Sequence, residues 1–73
     1  MLYKTYEELT GEIEKKIEEF FEECNNYPDY LILWYGYSPL VQNSGAAVHT
    51  KEGDLELFNM KIIWTKKHMV EVY

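Results

Sequence analysis

At 73 residues and 8.8 kDa the chain has room for one small domain, which excludes a nucleotide-binding domain joined to a substrate domain. A hydrophobic content of 47% and an aromatic content of 16% describe a folding chain, not a disordered one. The net charge is −6 and arginine is absent, so the planar fork that grips phosphate or carboxylate is missing and phosphoryl chemistry loses weight.

Tyr6 to Cys24 reads as one amphipathic helix. Thr5 with Glu8 three residues on is a capping-box signature. Tyr6, Leu9, Ile13, Ile17, Phe20, Phe21 and Cys24 recur in steps of three or four and fall in an arc of about 120°, the width of a core-facing stripe. The charge is concentrated on the rest of this segment. Glu7, Glu8, Glu12, Glu14, Glu18, Glu19, Glu22 and Glu23 stand against Lys15 and Lys16, so the helix holds the whole net charge and the remaining chain is neutral. Glu14–Glu18, Glu18–Glu22 and Glu19–Glu23 repel at i,i+4, and Gly11 costs about 1 kcal/mol against alanine. Such a helix needs tertiary packing. Asn25-Asn26 is its natural stop.

After a turn at Tyr27-Pro28-Asp29, Tyr30 to Tyr35 is apolar on both faces and too short for a second helix, which predicts a central strand. Gly36-Tyr37-Ser38-Pro39 ends it, and Ser38 before Pro39 is placed to cap one helical turn through Val41. Asn43-Ser44-Gly45 is a further turn. Ala47 to Thr50 and Leu55 to Phe58 flank Lys51-Glu52-Gly53-Asp54 as a hairpin would. Met60 to Trp64 is another strand, with a bend at Asn59 left open because the alternation slips there. Thr65-Lys66-Lys67-His68 is a polar turn before the alternating Met69 to Tyr73. The fold class expected is α+β. One amino-terminal helix (about 6–24) packs on a small, mostly antiparallel sheet of three to five strands (about 30–73), in a single domain over 1–73.

The longest apolar run, Tyr30 to Tyr35, is far short of the ~18 residues that suggest a membrane span. Met1 to Glu8 has no apolar stretch behind its charges, so no signal peptide is expected. Cys24 is the one cysteine, which permits no internal disulfide and suits a reducing cytosol, so a cytoplasmic location is expected. Its place on the apolar arc predicts a small buried hydrophobe, and Glu22 and Glu23 nearby oppose a reactive thiolate.

His49, His68, Cys24, Glu52, Asp54 and Glu71 form no spaced metal-ligand pair. Ser38 and Ser44 lack a GxSxG frame. No catalytic, metal or cofactor site is expected, no small-molecule substrate is implied, and the chain is read as not an enzyme. Lys61, Lys66, Lys67 and His68 near Trp64 make a small basic tip, opposed for any polyanion by the acidic helix, so nucleic acid is disfavoured.

Two features carry information. Glu7, Glu14, Glu18 and Glu22 give an acidic face, either a solvated surface or a mimic of nucleic acid. Nineteen helical residues span about 28 Å, along which duplex DNA carries about 16 charges, well above six net. The other feature is the aromatic excess of seven tyrosines, two tryptophans and three phenylalanines. A core this small leaves part of it outside, and Tyr27, Tyr35, Tyr37 and Tyr73 are expected at least partly exposed. A chain below about 80 residues without disulfide or metal often gains stability by association. An edge strand ending at Tyr73 would offer a further contact.

The segments Pro28-Asp29-Tyr30-Leu31-Ile32-Leu33, Phe58-Asn59-Met60-Lys61-Ile62-Ile63 and Val70-Glu71-Val72-Tyr73 are locally similar to part of the tailed-phage coat-protein fold. They depart from it at Asn59-Met60, where that pattern has a glycine, and the chain is several times too short for a coat protein. The order of segments resembles small accessory proteins of phages and prophages, which are often acidic, Lys-rich and Tyr-rich single domains. The resemblance carries over no functional residue. It implies a viral or mobile-element origin, in a host cytoplasm, and action through protein contacts. The function expected is therefore that of a non-enzymatic interaction protein, a homo-oligomer or a binder of a host or viral protein, through Glu7, Glu14, Glu18, Glu22, Tyr35, Tyr37 and Tyr73. The alternatives are an acidic inhibitor of a nucleic-acid-binding protein and a weak single-strand nucleic-acid binder.

Overall fold

The computed structural model describes residues 3–73. Met1 and Leu2, on which the expectation of no signal peptide partly rests, lie outside the described residues. Helix α1 runs Tyr6–Cys24. Thr5 caps it, its Oγ1 accepting from the Glu8 amide at 3.2 Å, while the Glu8 carboxylate reaches back to accept from the Lys4 amide at 3.3 Å. Asn25 closes the helix in the left-handed conformation (φ 57°), its amide donating to the Phe21 carbonyl at 2.8 Å.

Strand β1 (Tyr30–Trp34) leads through a 3-10 turn (Tyr35–Tyr37) into a short helix α2 (Ser38–Asn43). The cap position of α2 belongs to Tyr37, so Ser38 lies inside the helix and accepts from the Gln42 side chain instead. Strands β2 (Val48–His49), β3 (Leu55–Leu57), β4 (Met60–Thr65) and β5 (Val70–Val72) follow. The bend left open at Asn59 is a two-residue reversal. Leu57 pairs with Met60, and Phe58 and Asn59 between them hold φ of 52° and 64°. Two positive φ values in a two-residue connection are what the right-handed twist of a hairpin favours.

The sheet order is β2-β3-β4-β1-β5. Three pairings are antiparallel, and the β1–β4 pairing is parallel, with Ile32 opposite Ile63. The middle position is taken by β4, with β1 beside it. The protein is thus an α+β domain with its helix on a five-stranded, mostly antiparallel sheet.

Alternation decides what each face of the sheet does. Leu31, Leu33, Leu57, Met60, Ile62, Val70 and Val72 point to one face and form the core with Leu9 and Ile13 of α1, Val41 of α2 and Tyr37. Ile32, Ile63 and Glu71 share the other face in cross-strand register, as do Tyr30 and Lys61. Helix α1 is longer than the sheet beneath it, because nineteen helical residues cover about 28 Å, the three-residue β5 about 10 Å and the six-residue β4 about 20 Å. Its last turn outruns the core, and Cys24, expected to be buried there, is exposed.

Candidate protein-binding surfaces

Glu7, Glu14, Glu18 and Glu22 are all exposed. At 100° per residue they lie within about 80° of one another, one ridge along α1. Tyr35 and Tyr73 are exposed as expected, Tyr73 at 59%. Tyr37 is not: it is only 3% exposed. The 3-10 turn swings its ring back under the Trp34 indole, 5.3 Å away and edge-on, and toward Tyr3 at 6.1 Å. Its hydroxyl accepts from the Tyr3 amide at 3.4 Å. Tyr37 is a core residue with a polar tip satisfied locally, so it is removed from the surface.

The sheet face turned away from the helices carries an apolar patch beside the charged Lys61 and Glu71. Ile32 and Ile63 sit side by side across β1 and β4, and neither belongs to the core cluster. Ile63 is 42% exposed. Tyr30 and Tyr73 exchange both backbone hydrogen bonds, at 2.8 and 2.9 Å, which sets Tyr73 next to Tyr30 on that face. Lys61 lies beside Tyr30, with Asp54 3.4 Å from its Nζ. Composition announces surplus aromatics, but nothing in it marks the half-buried Ile32 and the exposed Ile63 as lying outside the core. A strand apolar on both faces does not reveal whether both faces are covered.

The β5 edge is held differently. Because Tyr30–Tyr73 is a hydrogen-bonded pair, the Val70 and Val72 backbone groups point away from β1. Lys16 reaches from α1 to Glu71 at 3.3 Å and closes a charged pair over this edge. That hydrogen bond, with the carboxylates of Glu71, Glu12 and Glu19 around it, raises the Lys16 pKa against the opposing effect of burial. Tyr3, beside it, also has a raised pKa, chiefly through burial and next through Glu12.

The basic tip is not assembled. Lys61 opens β4 while Lys66 and Lys67 follow its end, about 17 Å apart at 3.3 Å per residue. His68 packs edge-on against Trp34, 4.1 Å between ring centres. Among the described residues no group of three or more His, Cys, Asp and Glu side chains is arranged to hold a metal ion, and no helix is long and apolar enough to cross a membrane. No protein-family model, no curated protein and no solved structure matches the chain.

Proposed function

We propose that the chain is a non-enzymatic interaction domain that self-associates through the open face of its sheet. The observation that carries this is the pair Ile32 and Ile63, apolar, adjacent, and outside the core, in line with Tyr30 and Tyr73. A sheet face of this kind is stabilised when a second layer covers it. Charge favours a second copy as that layer. The net charge of −6 resides on α1, on the opposite side of the sheet. Two copies meeting at the open face keep their acidic helices outermost, whereas any helix-side contact would bring them together. The resemblance of the segment order to small phage accessory proteins suits a role through protein contacts in a host cytoplasm.

Size-exclusion chromatography with light scattering tests this. The native chain is expected to be a dimer whose mass holds as salt rises, and Ile63→Lys a monomer with an unchanged far-ultraviolet spectrum. A native monomer across the accessible concentration range would contradict the proposal.

A further inference from the structure

On the flank of α1 away from β5 there is an open cavity of about 390 Å³, between the helix, the Tyr27–Pro28 segment and the β3–β4 turn. Ile17, Tyr27, Pro28, Phe58 and Met60 make its apolar walls, with Glu14 among them. A neighbouring depression of about 370 Å³ shares Ile17 and Tyr27 and adds Phe21, Glu18 and Glu22. The two form one groove, apolar at its floor and bordered by three carboxylates of the acidic ridge. Among the described residues no lysine or histidine lines either part. Its aromatic walls face solvent, Tyr27 at 72% and Phe58 at 43% exposure. Phe21 and Tyr27 stack with ring centres 4.9 Å apart. Phe58 is held there by a left-handed backbone (φ 52°), unusual for a bulky side chain.

We propose that this groove binds a short segment of another protein in which an apolar side chain is flanked by lysine or arginine. The apolar side chain fills the cavity, whose volume lies at the small end of the ~300–1,000 Å³ typical of ligand clefts. The flanking cations meet Glu14, Glu18 and Glu22, and over Tyr27 or Phe58 they gain the attraction of a ring face. The same carboxylates repel a polyanion. They also disfavour a second copy, which brings the same −6. This site is separate from the open sheet face, so either can fail without the other.

The test is an amide-resolved titration of the full chain with the peptide acetyl-Lys-Lys-Leu-Phe-Lys-Lys-amide. Saturable shifts are expected at Ile17, Phe21, Phe58 and Asn59. The peptide with Ser-Ser at its centre should bind at least about tenfold more weakly, as should Phe58→Gly, since an interface aromatic is a frequent anchor. Glycine suits the left-handed backbone, so Phe58→Gly keeps the fold. The peptide with glutamate in place of lysine should not bind, and Glu18→Lys with Glu22→Lys should abolish binding of the original. Shifts elsewhere, no shifts, or equal binding by the Ser-Ser peptide or by Phe58→Gly would overturn the proposal. Concentration-dependent shifts at these residues without peptide would also overturn it, by making a second copy the occupant.

Discussion

A Cβ added at Gly36 would overlap the Trp34 indole, so this position is glycine for close approach and not for turn geometry alone. Displacing the indole would break its edge contacts with Tyr37 and His68. Gly36→Ala is therefore expected to cost about 1–3 kcal/mol in denaturant unfolding. An unchanged midpoint would show that the indole moves aside freely. At the β3–β4 turn the expectation reverses. Phe58 and Asn59 both have positive φ, and a bulky residue there is unfavourable by about 1–2 kcal/mol. Phe58→Asn with Asn59→Gly supplies the favoured pair for such a turn and should raise stability by about 1 kcal/mol. The close approach at Gly36 is not legible in the sequence, and at Phe58-Asn59 only the slip in alternation marks the turn. Gly36 reads as a strand terminator, and Phe58 continues an apolar run. The burial of Tyr37 is also hidden from the sequence, because a single turn of 3-10 helix, too short to leave a periodic signal, decides which way its ring faces.

The helix was legible almost to the residue, because cap, periodicity and stop agree. Thr5→Ala should lower stability by about 1 kcal/mol, read from the thermal or denaturant midpoint. What periodicity could not supply was the length of sheet beneath the helix, and so Cys24 emerged exposed. The junction of α1 with β5 also sets a pH dependence. Lys16, with its pKa raised above the usual 10.5 mainly by the Glu71 hydrogen bond, contributes stability that is complete below the unfolded value. That contribution is lost as pH rises through the folded value. Tyr3, raised above 10.0 mainly by burial, favours its neutral form in the fold and loses its contribution in the same direction. Stability should therefore decline above about pH 10 through both groups. Lys16→Met should flatten the part of that decline due to Lys16, seen by comparing denaturant midpoints at pH 8 and pH 11.

At the scale of the whole molecule, the fold class and a range of three to five strands follow from local pattern, while strand order does not. The parallel β1–β4 pair joins segments that are separated in sequence by α2, β2 and β3, and no local signal encodes it. That pairing sets Ile32 against Ile63 and creates the apolar face. The acidic ridge was readable from the sequence, because it is a property of one helix. Its neighbours Tyr27 and Phe58 come from two separate turns, so the groove existed only once the chain was folded.

Self-association through the open sheet face can be read residue by residue in a concentration series of amide-resolved spectra. Shifts that grow with concentration are expected at Tyr30, Ile32, Lys61 and Ile63, while the α1 residues Glu7, Glu14 and Glu18 stay fixed. Spectra that do not change with concentration, or changes confined to α1, would contradict it.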